Sequence, residues 1–574
     1  MYFNNEGKTA VTYDAIVVGT GISGGWAAKE LCEKGLKTLV LERGRNVRHV
    51  IDYPTANMDP WEDPLRDFLP FEEIKDYQVQ ARTGYGMRRS TKHWWVNDTE
   101  NPYTEVKRFD WIRGYHVGGR SIMWGRQSYR LSDLDFEANL KDGVAVDWPI
   151  RYADLAPWYD YVERFAGISG QKEGLAHLPD GNFLPPMEMN CVEDHLRKKV
   201  AENFSGRVIT IGRTAHLTEP NPDVHGNRGK CQFRNRCIRG CPYGAYFSSN
   251  ASTLPAAEAT GNMTLRPNSI VHSVIYDEKT NKAKGVRVLD AETKEEMEFY
   301  GKVVFLCAST LGSTFILMNS TSDRFPNGLG NSSGQLGHNI MDHHFRTGGA
   351  GIYDGFTDKY HKGRRPNGIY IPRFQNLDKA SQSQNFIRGY GFQGGGSRFN
   401  WIQGIKELDM SLGEEFKRKL VEPGPWQLGI TAFGECLPYY ENKVELNHEV
   451  KDVHGLPTLK IDAEFKDNEM KMREHMRTSA GEMLEAAGFS NIKIFDDGSW
   501  PGLGIHEMGT ARMGRDPKTS VLNKWNQLHD VSNVFVTDGS CMTSSACQNP
   551  SLTYMALTAR AVNYAVEQMK KAEM

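Results

Sequence analysis

Two stretches near the C-terminal end carry side chains suited to taking a proton from an alcohol. In Gly504-Ile-His506-Glu-Met-Gly509-Thr510 a histidine sits in a glycine-rich turn rather than on an apolar face, so its imidazole can be presented to a cavity. In Asn549-Pro550-Ser551-Leu552-Thr553 an asparagine precedes a proline, which offers an amide at the start of a helix that cannot extend backwards. Next to a flavin the pair has a plain chemistry: His506 accepts the proton of a substrate hydroxyl while the carbon-bound hydrogen leaves as hydride, and Asn549 holds the same oxygen. A lone histidine is as readily structural, so the reading depends on a site for the cofactor.

That site is legible at the other end of the chain. Val11 to Arg43 reads as strand, glycine turn, helix, strand. Ala15 to Val18 is apolar and β-branched, as suits a strand buried on both faces. Gly19 permits the tight turn, Gly21 lets backbone approach a pyrophosphate, and Gly24 lets the helix pack close to the sheet. The helix aims its N-terminal amides at the phosphates. Glu42, with Arg43 beside it, ends the second strand where a carboxylate can accept both hydroxyls of an adenosine ribose.

The rest of the chain must bring these ends together. At 574 residues it can bury a large core and is too long for one compact domain, so two closely connected domains are expected. A net charge of -2 argues against nucleic acid or an anionic membrane surface as the main partner. The N-terminus has no basic segment followed by an apolar one, so no signal peptide is expected. The longest weakly polar run, Val303 to Met318, is too short to span a bilayer.

Asp52 to Asp110, rich in Trp and Tyr, reads as a surface excursion or lid. Gly118-Gly119-Arg-Ser121 forms a second glycine turn, where backbone can lie against a ring or a phosphate. Helices are expected over Arg151 to Gly167, Glu193 to Phe204, Asp467 to Ala487 and Asn549 to Met569. A β-meander is expected from Met263 to Val288. Val303 to Ser309, with Ala308 near its end, reads as a buried strand running into a helix and back to the first sheet. After Gly334 to His344 the pattern changes, and Ile352 to Lys493, including Gln427 to Phe433 and Lys443 to Leu446, suggests a separate sheet flanked by helices.

Three of the nine cysteines fall in Cys231-Gln-Phe-Arg-Asn-Arg-Cys237-Ile-Arg-Gly-Cys241. Close thiolates in a loop suit an iron-sulfur cluster, whose charge Arg234, Arg236 and Arg239 would offset; free or structural thiols are the alternative. Zinc is disfavoured, because no nearby CxxC or HxxxH pair completes a tetrahedral set.

Taken in order, the first glycine turn with Glu42, Gly118-Gly119-Arg-Ser121, Gly334 to His343, His506-Glu-Met-Gly509-Thr510, Asp538-Gly539 and Asn549-Pro550 resemble the glucose-methanol-choline (GMC) oxidoreductases. The resemblance covers nearly the whole chain. It implies a mixed α/β fold: a Rossmann-like FAD-binding domain from residues 1–165, 230–340 and 500–574, and a substrate domain with a large, mostly antiparallel sheet from 166–229 and 341–499. The cysteine segment would lie near the junction. It implies His506 and Asn549 over the flavin, Val271 on the adenine side, and Asp538 and Gly539 near the ribityl and phosphate region. Gly118, Gly119, Ser121, Ala308, Pro550 and Thr553 join the cofactor contacts.

Within the family, the sequence is similar to the branch of sugar and glycoside dehydrogenases and pyranose oxidases. Pyranose oxidases bind FAD covalently through a histidine at the place of Met123; a thioether cannot do this, so non-covalent FAD is expected. The resemblance further implies oxidation of a sugar or glycoside hydroxyl to a ketone, often at C3, and a [3Fe-4S] cluster on Cys231, Cys237 and Cys241. It also implies a cytochrome c or quinone-linked acceptor, and a small subunit that would carry a cytoplasmic flavoprotein to the periplasm. The alternative is a cluster-free oxidase that passes electrons to oxygen.

Overall fold

The structure is a computed structural model describing residues 12–63, 65, 67–360, 366–398, 413–421 and 423–571. The N-terminal residues on which the export expectation rests lie outside these.

The expected strand, turn, helix and strand form the centre of a seven-stranded sheet. Thr12–Val18 runs parallel to Thr38–Leu41 on one side and to Glu296–Leu306 on the other. The eleven-residue strand Glu296–Leu306 is shared: its first half pairs antiparallel with Lys282–Asp290, and its end pairs parallel with Val534–Val536. Ser269–Asp277 closes that edge antiparallel to Lys282–Asp290. Ala15, Ile16 and Val17 are fully buried, because helices cover one face and the meander and Thr310–Asn319 cover the other. On the helical face Ala27, Leu31, Leu254 and Val562 pack against Val17, Val40 and Phe305.

Met263–Arg266, expected within the meander, is instead the outer parallel strand beside Thr38–Leu41. Met263 and Leu265 bury in the same cluster as Val40 and Leu254, which an antiparallel position beyond Asp277 would not allow.

A second sheet is antiparallel throughout, in the order Ser490–Asp496, His344–Tyr353, Trp426–Gly434, Tyr390–Arg398, Ile369–Ile371 and Thr210–Ile211. Trp426–Gly434 alternates between buried and partly exposed residues. Its buried set, Leu428, Ile430 and Ala432, packs with Met476, Ala480 and Met483 of the helix Asp467–Ala486. The mixed α/β class with a large antiparallel sheet is therefore what the chain adopts.

Lys443–Lys451 is not in that sheet. It forms a three-stranded sheet with Pro457–Asp462 and Thr104–Glu105, because Val444, Leu459 and Ile461 bury against Phe109, Trp111 and Leu311. The Asp52–Asp110 excursion is in part core: Trp94 and Trp95 pack with Val47, Tyr53, Ile122 and Met123. Among the described residues no helix is long and apolar enough to cross a membrane.

Candidate active site

A single long cleft, enclosing about 2280 Å³ including its mouth, runs from the first glycine turn to His506. Its walls include Gly19, Gly21 and Glu42 at one end and His506 and Asn549 at the other, so one elongated ligand can touch both. The turn is shaped by its own backbone. Gly19 has φ +96°, and a Cβ on Gly24 would lie 1.9 Å from the Gly19 carbonyl oxygen, so the helix Ile22–Glu33 starts directly against the turn. A Cβ on Gly21 would meet nothing within 4 Å, because that side of the turn faces the cleft. The first-turn amides have no intrahelical acceptors, and the helix has no acidic residue in its first turn. An open, amide-lined cradle of this kind fits a pyrophosphate.

Thr20 ties three predicted parts together, a role that sequence reasoning missed. Its hydroxyl donates to Glu42 Oε2 at 2.5 Å and accepts from the Gly118 amide at 2.9 Å. Glu42 also accepts from the amides of Thr20 and Gly44, and burial pushes its pKa up. Gly118 has φ +89° and lies against Asn250, while Gly119 and Ser121 line the cleft. Arg43, Val271, Ala308, Met123, Asp538 and Gly539 also line it. The Asp538 carboxylate accepts from the Ser540 amide and from the hydroxyls of Ser540 and Ser313. Pro550 and Thr553 do not line the cleft; Thr553 is fully buried and bonded to Tyr159 OH at 2.8 Å.

At the other end His506 and Asn549 stand together, with Asn549 Nδ2 3.4 Å from His506 Nε2. The loop before His506 is pinned by Asp342, whose carboxylate accepts from the amides of His343, Gly504 and His506 at 2.8 to 3.0 Å. A Cβ on Gly504 would lie 2.4 Å from the His343 carbonyl oxygen. Ile505, a β-branched residue, is held at φ 64°, a conformation of stored strain characteristic of functional loops. Burial, with Glu507 nearby, pushes the Asp342 pKa up to about 8. Glu507 is itself bidentate with Arg120 at 3.1 and 2.8 Å.

Two further side chains complete the group. His343 Nδ1 lies 2.9 Å from His506 Nδ1, and its Nε2 lies 2.8 Å from the Ala546 carbonyl oxygen. Gln393, on the antiparallel strand Tyr390–Arg398, donates from Nε2 to Asn549 Oδ1 at 2.7 Å. Burial, followed by His343 and Arg120, holds the His506 pKa well below the ordinary histidine range. In the sequence, Gly334 to His344 reads as a boundary and part of a family pattern, and the local signal for His343 is its place beside Asp342. Gln393 could have been noticed as an amide among the glycines of its strand. Stacked Phe345 and Phe433, 5.0 Å apart, with Trp124, Tyr85 and Gln127, line the neighbouring cleft.

The cysteine loop lies elsewhere. Cys231 is buried, and burial pushes its thiol up to about 11. Cys237 Sγ is 3.8 Å from His216 Nε2. The arginines expected to offset cluster charge instead serve the Asp52–Asp110 segment: Arg236 pairs with Asp59, Arg239 with Asp67, and Arg234 donates to Asn57. Among the described residues no group of three or more His, Cys, Asp or Glu stands as a metal set, so the cluster expectation finds no support here.

Comparison with known proteins supplies the family. Family models described as GMC oxidoreductase match residues 13–345 and 438–558. The chain is 27% identical over 570 residues to a 2-methyl-1,2-propanediol dehydrogenase of Mycolicibacterium austroafricanum, covering 96% of this chain and 94% of that one. It is 25% identical over 583 residues to a fructose dehydrogenase large subunit of Gluconobacter japonicus, covering 97% and 98%. The structure of a pyridoxine 4-oxidase from Mesorbium loti superposes with a TM-score of 0.59 at 16% identity, covering 96% of this chain and 99% of that one.

Proposed function

The chain belongs to the GMC oxidoreductase family, and from that premise we propose that it oxidises a secondary hydroxyl of a sugar or glycoside, such as that at C3, to a ketone. The observation that carries the reading is the His506–Asn549 pair at one end of a cleft whose other end is the Gly19–Gly24 cradle. The family implies FAD, which when bound supplies the hydride acceptor. Gly19, Gly21, Glu42, Gly119, Asp538 and Gly539 would hold it, without a covalent bond, since Met123 offers no imidazole.

His506 Nε2 takes the hydroxyl proton, and its depressed pKa keeps it neutral and able to accept at neutral pH. Asn549 Nδ2 donates to the same oxygen and holds the alcohol in line. The Phe345–Phe433 stack offers an apolar platform to a pyranose face, and the amides of Gln127 and Gln393 offer polar edges. The sugar class is supported by the name of the fructose dehydrogenase relative. The diol dehydrogenase relative favours a second reading, a short-chain diol.

For reoxidation we propose a cytochrome c or quinone-linked acceptor, with a smaller subunit as the relative's designation "large subunit" suggests. The flavoprotein would then act in the periplasm with that subunit, or in the cytoplasm without it; an oxygen-using oxidase is the alternative. No electron step is drawn through Cys231, Cys237 and Cys241.

Anaerobic flavin bleaching with a panel of glycosides, free sugars and short diols tests the substrate, with the product carbon located by NMR. Reduction by glycosides to a keto-sugar supports the reading, and reduction by diols alone removes it. Peroxide formation in air, with iron and acid-labile sulfide assays on anaerobically purified protein, tests the acceptor. About three irons per flavin would return the cysteines to the electron path; no iron with rapid peroxide release would make the protein an oxidase.

A further inference from the structure

The direction of the hydrogen bonds through the His506 ring follows from one fixed point. The Ala546 carbonyl can only accept, so His343 Nε2, 2.8 Å away, carries a proton. His343 is fully buried, and burial holds its pKa down at about 4, so it carries no second proton and its Nδ1 presents a lone pair. His506 Nδ1 lies 2.9 Å from that lone pair and must be the donor. The neutral His506 ring then has its single proton on Nδ1, and Nε2 is bare on the side of Asn549.

The same logic orients the amides. A bare Nε2 calls for a donor, so Asn549 turns Nδ2 toward it, and Oδ1 is left to accept from Gln393 Nε2 at 2.7 Å. The reverse arrangement would set Oδ1 against the Nε2 lone pair. A backbone carbonyl thus sets the polarity of a chain that ends on the antiparallel sheet.

We propose that His343 is a positioning residue that fixes the tautomer of His506, so that Nε2 is the atom able to accept the substrate proton. The inference rests on the reading of His506 as base. When the hydroxyl O–H bond breaks and the Nε2–H bond forms, the positive charge stays on His506. Its Nδ1–H continues to donate to His343, and no proton moves further along the chain. The other titratable groups facing this pair are Arg120, paired with Glu507, and Asp342, whose carboxyl oxygens are committed to backbone amides. None of them offers an acceptor to Nδ1 in the contacts observed. Without His343 the proton is free to move to Nε2, where it blocks the base.

The test is anaerobic flavin reduction in the FAD-loaded protein, with H343L, H343N, H506A and the double variant H343L/H506A. In H343N the side-chain oxygen can stand where Nδ1 stood. H343L is expected to lower the limiting reduction rate by about 100- to 1,000-fold with the substrate dissociation constant within roughly threefold, and H343N to regain about tenfold or more. On the H506A background the leucine is expected to cost less than about twofold, since a residue acting through His506 has nothing left to position. A histidine that serves only the packing would slow both backgrounds equally.

The proposal is overturned if H343L reduces flavin within about threefold of the parent, or if its cost persists on H506A. If H343L fails to bind FAD, H343N and H343N/H506A carry the same comparison, and additivity there overturns it. The underlying reading fails separately, by H506A keeping the parent rate; a slow H506A with a fast H343L removes only the role of His343.

Discussion

At the scale of single residues, the proposed chemistry of the His506 group depends on which atoms carry protons. Gln393 gives a sharp case, because an isosteric change reverses its sense. In Gln393→Glu the carboxylate can only accept, so Asn549 must turn Nδ2 toward it and Oδ1 toward His506 Nε2. Gln393→Leu merely releases Asn549, at a cost of about 1 kcal/mol, or roughly fivefold in rate. Gln393→Glu is therefore expected to be slower than Gln393→Leu in flavin reduction, although it is closer in shape; equal rates would mean that the amide orientation is immaterial. The depressed pKa of His506 sets a second expectation. The base works unprotonated and is lost as pH falls through its pKa, so the acid limb of kcat/KM should lie below the ordinary histidine value of about 6.5. A limb at or above that value would assign the base to another group.

At the scale of elements, the glycines of the first turn separate folding from cofactor binding. Gly21→Ala places a methyl group in open cleft, touching no protein atom. Its apoprotein should melt as the parent does while FAD affinity, read by flavin fluorescence, falls at least about tenfold, or about 1.4 kcal/mol. Gly24→Ala drives a Cβ to 1.9 Å from the Gly19 carbonyl oxygen and should lower the melting temperature of the apoprotein as well. Equal FAD affinity in Gly21→Ala and the parent would move the phosphate site elsewhere. The Gly504 loop follows the same principle, because its backbone is wrapped on Asp342 too closely for any side chain.

At the scale of the whole molecule, two sheets meet over one cleft. The parallel part of the first sheet brings the glycine turn and Glu42; the antiparallel sheet brings Gln393, Phe345 and Phe433. A ligand bridging them stabilises the fold by mass action, by about 2.7 kcal/mol when its free concentration is a hundred times its dissociation constant. The melting temperature is accordingly expected to rise with added FAD, and denaturation to release all of the flavin into the supernatant. Flavin remaining with the precipitated chain would mean a covalent bond and contradict the inference from Met123.

The βαβ turn, the long helices and the strand entering Thr310–Asn319 were legible because each rests on periodicity and glycine spacing within a few dozen residues. His506 and Asn549 could be singled out by type and local setting, and their order with the other motifs named the family. The edge on which Met263–Arg266 pairs, and the separate sheet of Lys443–Lys451, were settled by which distant apolar residues share a core. The hydrogen-bond chain through His506 is of that second kind. His343 is 163 positions from His506, and Gln393 is 156 from Asn549. Hydrogen-bond direction is a property of atoms in contact, so the residue types alone left two tautomers of His506 open. Only tertiary structure, by setting His343 between Ala546 and His506, chose one.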